Sequence, residues 1–339
     1  MERHHPRNGN DGGDRAMTKV KIGLALGCGA ARGWAHIGVL HGLLEAGIVP
    51  DIVAGTSIGA VVGGCYAAGR LNEVEEFARS LTRRRVFGYL DFNMSGSGLI
   101  TGQRLRDRLI NHLGDTTIES LTPQFTAVAT EIGTGHEIWL SRGRLVDAMR
   151  ASYALPGIFK PVNISGRWLF DGALVNPIPV SVCRAMGARY VIAVNLNADM
   201  CGRGTVVPFL DAGTQDTLLI EANGAPKKNG RSAMKLLKRQ FFGPNETAPG
   251  ISTVVMDAFN IVQDRIARSR LAGDPPDFMI SPRLTGIGPF DFHRAAELIE
   301  RGLAAAQREV EDIAREIEVR RMFEPRVEED AGVEAGVVK

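Results

Sequence analysis

The chain has 339 residues, 44% hydrophobic and 23% charged, with 40 glycines, 16 prolines and a formal net charge of +2. That apolar share fills a sizeable core and excludes a wholly disordered, collagen-like or disulfide-dense chain. The near balance of charge gives no chain-wide basic field, so nucleic acid is not an expected partner.

The length suggests two domains, or one large α/β domain with an insertion. Residues 1–16 are polar and Gly/Asn-rich, and read as a disordered extension without the apolar run of a signal peptide. Met17 is a second candidate start. Residues 19–26 (KVKIGLAL) form a predicted strand ending in glycines, and 34–46 (WAHIGVLHGLLEA) a helix ending before Gly47. A second strand starts at 51–54, and a small-residue helix follows over 58–68. The uncharged stretch 52–69 has about the minimum length of a membrane span. Its glycines, Thr56 and Ser57 favour a buried strand–turn–helix. Further strands are expected at 125–130, 137–141, 168–170 and 190–195, with a helix at 145–152 ended by Leu155-Pro156-Gly157. This order implies parallel strands with helices packed on both sides, a three-layer α/β/α fold with a mainly parallel central sheet.

Residues 17–197 thus form the expected core, and 198–250, rich in Gly, Pro and polar residues, a variable insertion or lid. Residues 251–323 return to helical spacing and complete the same domain; 324–339 read as a loose tail. The last helix carries Ile299, Leu303, Ala306, Val310, Ile313 and Ile317 in a three-four stripe, expected to dock on the sheet. Cys28, Cys65, Cys183 and Cys201 show no CxxC spacing. They read as reduced thiols of a cytoplasmic protein, with no metal set expected.

Three segments carry chemistry. Gly55-Thr56-Ser57-Ile58-Gly59 matches G-x-S-x-G between a predicted strand and helix, the context in which a sharp turn projects a serine hydroxyl. The competing reading is a tight turn with a capping serine. Gly27-Cys28-Gly29-Ala30-Ala31-Arg32-Gly33 follows the first strand, where small residues let backbone N–H groups face an open space. A dinucleotide fingerprint would need glycine at position 32, and a Walker loop would need Gly-Lys-Ser/Thr. An oxyanion hole serving the next strand's serine remains, with Arg32 fixing the loop or adding charge. Phe170-Asp171-Gly172-Ala173, then Asn176-Pro177-Ile178-Pro179, puts a carboxylate at a strand end. Asp171 can act as a base if its site is dry; otherwise it marks a simple turn.

Taken together, these segments resemble the patatin-like phospholipase family over about residues 20–195. Arg32-Gly33-Trp34-Ala35-His36-Ile37-Gly38-Val39-Leu40, Arg150-Ala151-Ser152 with Pro156-Gly157, and residues 171–180 resemble its bacterial branch, similar to the catalytic domain of neuropathy target esterase. The resemblance implies a Ser–Asp dyad, with Ser57 as nucleophile and Asp171 as base. It further implies an oxyanion hole from the amides of Gly29 and Ala30, supported by Gly27, Cys28, Arg32 and Gly33, with Gly55 and Gly59 framing the nucleophile. The implied substrate is a phospholipid, lysophospholipid or related acyl ester, cleaved without metal or other cofactor. Cys28 and Ala30 stand where the family usually has glycine, which keeps open an alternative: a regulatory or scaffolding protein with weak or no catalysis.

His293 would complete a Ser–Asp–His order but reads as a helix-start residue, and His36 as a packing or hydrogen-bonding residue beneath the glycine loop. Asp51 reads as a strand-start residue and Asp147 as a helix-surface residue. Residues 227–242 interleave six basic residues with Met234, Leu236, Leu237, Phe241 and Phe242. They form a candidate interfacial anchor for peripheral contact with the inner membrane surface, or else a lid helix. Arg83-Arg84-Arg85 reads as a solvated helix end. Oligomeric state is left open.

Overall fold

A computed structural model describes residues 20–89, 98–100, 102–199 and 251–323. The terminal segments 1–16 and 324–339, the anchor segment 227–242, Cys201 and all but two residues of the expected insertion lie outside the described residues.

In chain order the elements are β1 (Ile22–Leu26), a 3-10 turn (Ala30–Trp34), α1 (Ala35–Glu45), β2 (Ile52–Thr56) and α2 (Ile58–Ala67). Next come α3 (Leu71–Arg79), α4 (Arg83–Tyr89), β3 (Gly98–Ile100), α5 (Gln103–Leu113), β4 (Gln124–Glu131), β5 (Glu137–Leu140) and α6 (Leu145–Ser152). The chain continues through β6 (Gly157–Phe159), β7 (Val162–Ile164), β8 (Arg167–Asp171), a 3-10 turn (Gly172–Leu174), α7 (Val180–Ala185) and β9 (Tyr190–Val194). It ends with α8 (Ile251–Gly273), β10 (Phe278–Ile280), a 3-10 turn (Phe292–Arg294) and α9 (Ala295–Phe323).

The main sheet runs β10-β9-β1-β2-β4-β8-β7, with β5 also paired to β4. Strands β10, β9, β1, β2 and β4 are parallel, whereas β5 and β8 run antiparallel to β4. The sheet is therefore mixed, with a parallel centre. Strands β1, β2 and β9 are buried along their whole length, as strands covered on both faces must be. Alternation divides them between two cores. Leu24, Val53 and Ile192 join the larger core with α1, α2 and α9, while Ala25, Ala54 and Ala193 join a smaller one with α7 and α8.

The apolar stripe of the last helix is buried as expected, but its main partner is α1 rather than the sheet. Leu298, Ile299, Ala306, Ile313 and Ile317 are buried, and α9 packs most extensively on α1, reaching the sheet at its edge strand β10 and at β9. Glycine sets the spacing. A Cβ at Gly302 would lie 2.0 Å from the Ala35 carbonyl oxygen, and one at Gly38 would lie 1.9 Å from that of Ile299. The two backbones touch where larger residues would force them apart. The Tyr190 hydroxyl also donates to Glu316 at 2.8 Å, tying α9 to β9. The expected 34–46 helix is divided, because Trp34 closes the preceding 3-10 turn. The expected turn at Leu155-Pro156-Gly157 leads straight into β6, which pairs with β3. Arg83, Arg84 and Arg85 are exposed at the N-terminal end of α4, the solvated helix end expected of them.

Replacing Gly302 by valine is expected to destabilise the fold by about 3 kcal/mol, the upper part of the overpacking range. Urea unfolding checks this; a midpoint equal to wild type would contradict the close α1–α9 contact.

Candidate active site

Strand register brings residues 57 and 171 together. Thr56, the last residue of β2, pairs with Val128 of β4, and the next residue of β4, Ala129, pairs with Asp171 of β8. Ser57 leaves the end of β2 one residue past Thr56, so the two side chains meet over β4, at the carboxyl end of the parallel strands. The Ser57 hydroxyl donates to Asp171 Oδ2 at 2.6 Å.

The turn that presents the serine is strained. Ser57 has φ 58° and ψ −122°, a left-handed conformation for a residue with a side chain. Its amide donates to Ser152 Oγ at 2.9 Å, and that hydroxyl donates to the Val128 carbonyl at 2.6 Å. Thr56 Oγ1 donates to the Asn176 carbonyl at 2.8 Å. The flanking glycine is required by contact: a Cβ at Gly59 would lie 2.2 Å from the Leu26 carbonyl oxygen. A Cβ at Gly55 would meet the Gly59 carbonyl at 2.5 Å. The turn can therefore sit against the end of β1.

Asp171 is buried, with its second carboxylate oxygen accepting from the Ala173 amide at 2.9 Å. Its amide donates to the Ala154 carbonyl, and its own carbonyl accepts from Thr130 Oγ1. Burial disfavours the charged form and lifts its pKa from the ordinary carboxylate value to about 7, against the hydrogen bonds from Ser57 and Ala173. It is thus poised to exchange a proton near neutrality.

The glycine loop is pinned on both sides of its centre. Gly27 and Cys28 donate their amides to the carbonyls of Val194 and Pro177; Ala31 and Arg32 donate theirs to Pro289 and Gly29. Between them, the amides of Gly29 and Ala30 donate to nothing among the described residues. Ala30 has φ 49°, a conformation that costs a residue with a Cβ about 1–2 kcal/mol. Cys28 adopts no such conformation. Gly33 lets this loop ride on the serine turn, since a Cβ there would lie 2.1 Å from the Ile58 side chain. Arg32 is buried and donates to Asn197 Oδ1 at 2.7 Å, and Asn197 Nδ2 donates to the Cys28 carbonyl at 3.3 Å. The Cys28 thiol donates to Gln263 Oε1 at 3.2 Å.

His36 is buried under this loop, with Nε2 donating to the Gly27 carbonyl at 2.7 Å, and desolvation lowers its pKa to about 4. It is therefore neutral at physiological pH. His293 instead pairs with Arg83, whose Nε donates to its Nε2 at 3.1 Å, and Asp291 lies nearby. It makes no bond to Asp171. Asp51 accepts from the Ile22 amide at the start of the strands, and Asp147 pairs with Arg150 on α6. Ser152, Thr130, Asn176, Asn197 and Gln263 were given no role from the sequence alone. Ser152 and Asn176 lie in stretches that carry the family resemblance, whereas Gln263 has no local signature.

Ser57, Asp171, Cys28, Gly29 and Ala30 line one cavity of about 180 Å³. Its remaining wall is mostly apolar, with Trp34, Phe77, Val86, Leu105, Leu109 and Phe292 among its members. Trp34 meets Phe77 and Phe292 edge-on, with centroids 6.4 and 6.1 Å apart. A hydroxyl beside a buried acid, opening on an apolar slot, is an arrangement that suits a lipid ester hydrolase.

The chain is similar in sequence to known proteins. The patatin-like phospholipase model matches residues 24–184. An uncharacterized NTE family protein of Mycobacterium tuberculosis is 35% identical over 336 residues, covering 88% of this chain and 93% of that protein. A lysophospholipase of Emericella nidulans is 33% identical over 199 residues, covering 54% of this chain and 12% of that protein. The solved structure of VipD from Legionella pneumophila aligns with 87% of this chain and 67% of that chain, at a TM-score of 0.42 and 12% identity. The chain belongs to the patatin-like phospholipase family, among its NTE family proteins.

Asp171's raised pKa makes its contribution to stability fully present below about pH 4, its unfolded value, and lost as pH rises through about 7. In Asp171→Asn, Nδ2 can donate to Ser57 and Oδ1 can accept from Ala173. Its melting temperature is expected to fall less between about pH 5 and about pH 8 than that of wild type. Thermal unfolding at both pH values checks this, and an equal or larger fall in the variant would contradict the raised pKa.

Proposed function

We propose that the protein hydrolyses acyl esters of phospholipids, lysophospholipids or related lipids through a Ser57–Asp171 dyad. The observation that carries this reading is the 2.6 Å hydrogen bond between the two side chains at the mouth of an apolar cavity. A serine hydroxyl needs a base in contact with it, and Asp171 is desolvated enough to serve. Ser57 Oγ attacks the ester carbonyl carbon as its proton passes to Asp171. The carbonyl oxygen becomes an oxyanion, for which the amides of Gly29 and Ala30 are the available donors. Collapse expels the alcohol, which takes the proton from Asp171 and leaves an acyl-Ser57 ester. Water then attacks that ester with Asp171 again as base, releasing the fatty acid and restoring the serine.

Two features support catalysis over a purely scaffolding role. Ala30 holds its strained conformation despite the Cβ, and the loop's hydrogen bonds end on either side of the two free amides. Among the described residues no helix is long and apolar enough to cross a membrane. In this reading the lipid comes from a membrane surface on the cytoplasmic side, with residues 227–242 as the contact.

Ser57→Ala is expected to abolish hydrolysis of a p-nitrophenyl ester, and Asp171→Asn to lower kcat by ~10²–10⁴-fold. The wild-type kcat/KM should rise with pH along a single-proton limb centred near the Asp171 value of about 7. Steady-state kinetics check all three; turnover surviving Ser57→Ala would overturn the mechanism.

A further inference from the structure

We propose that Asn260 and Gln263 of α8 form a polar subsite inside the reactive cavity for the alcohol half of the ester, binding uncharged glycerol oxygens rather than phosphate. The inference rests on the hydrolase reading above and says how that site reads its substrate.

Both residues line the cavity that holds Ser57 and Asp171. Three positions apart on one helix, they share a face. They bring carboxamides to a wall otherwise built largely from aliphatic and aromatic side chains. Gln263 is buried, at 6% exposure, and the Cys28 thiol fixes its orientation. Burial pushes that thiol's pKa far up, so the sulfur keeps its proton. Asn197 Nδ2 approaches the same sulfur at 3.8 Å, supplying the donor that a sulfur lone pair accepts. The S–H then donates to Gln263 Oε1, as the 3.2 Å contact shows. Oε1 is thereby engaged and the Nε2 hydrogens are left over.

Those hydrogens meet no acceptor among the described residues, and the Asn260 carboxamide has no partner there either. Amide donors that face the cavity without a protein partner are open to a ligand oxygen, which takes the place of water there. The charge of the cavity selects which oxygen. Among the described residues no lysine or arginine lines it, and Asp171 is the one carboxylic acid there. A phosphate brought inside would meet like charge without a counter-ion. A glycerol hydroxyl or ester oxygen costs far less to desolvate and both donates to and accepts from a carboxamide. Glycerol also follows directly from the scissile oxygen, so its hydroxyls arrive beside the acyl site. Cys28, one of the two departures from the family's usual glycine, thus has a use: it orients Gln263.

The test compares two esters of the same acyl chain, 1-octanoylglycerol and p-nitrophenyl octanoate, which lacks the glycerol oxygens. The readout is the ratio of their kcat/KM values, glycerol ester over nitrophenyl ester. Asn260→Leu/Gln263→Met is expected to lower that ratio about tenfold, the worth of one or two hydrogen bonds to an uncharged oxygen. Asn260→Leu alone, at a half-buried position away from the Cys28 contact, is expected to lower it about threefold, and it decides the matter if the double variant does not fold. A ratio within about twofold of wild type in the folded variants would overturn the subsite while leaving the hydrolase reading intact. Hydrolysis of neither ester by the wild-type chain would overturn that reading and the subsite together.

Discussion

The hydrogen bond from Ser57 to Asp171 depends on the pairing of three strands. Its partners are 114 positions apart in the chain, yet each sits within a residue of a registered pair on β4. A one-residue slip between β4 and β8 would turn the Asp171 side chain to the opposite face of the sheet. The Ser57–Asp171 contact is thus anchored in the sheet centre, where strands β1, β2 and β9 are buried along their whole length. That anchorage sustains the strained serine backbone, which the Ser152 hydroxyl also holds from below.

Close backbone approach is the second constraint. The serine turn rests on the end of β1 through Gly59, the glycine loop rests on the serine turn through Gly33, and α9 rests on α1 through Gly302 and Gly38. The series runs from the Ser57 turn to the outer helices without a spacer. It also explains how alanine survives at position 30. A conformation that costs about 1–2 kcal/mol persists when hydrogen bonds on both sides over-determine it.

The same physics decides what could be read from the chain. Gly55, Ser57, Gly59 and the Asp171-Gly172 pair were legible because steric limits on a sharp turn leave a mark within a few residues. The central strands were legible because double-sided burial demands unbroken apolar runs. Asp171's meeting with Ser57 followed only from the resemblance, since no local pattern encodes register between distant strands. Gln263 was illegible for the same reason: its partner, Cys28, is 235 positions away. The stripe on the last helix showed that a face is buried, but hydrophobic period does not name its partner. The glycines of α1 did, once their contacts were visible. The histidines were legible from their local setting, His293 at a helix start despite its fit to a triad order and His36 just after the glycine loop. His36 supports the loop and His293 answers to Arg83.

The most direct test of the account is covalent labelling of the wild-type chain with a fluorophosphonate, located by mass spectrometry and followed against pH. The account predicts a single adduct on Ser57, formed at a rate that rises with a midpoint near 7 as Asp171 loses its proton and that collapses in Asp171→Asn. An adduct at another residue, or labelling of Ser57 at an unchanged rate once Asp171 is replaced, would contradict it.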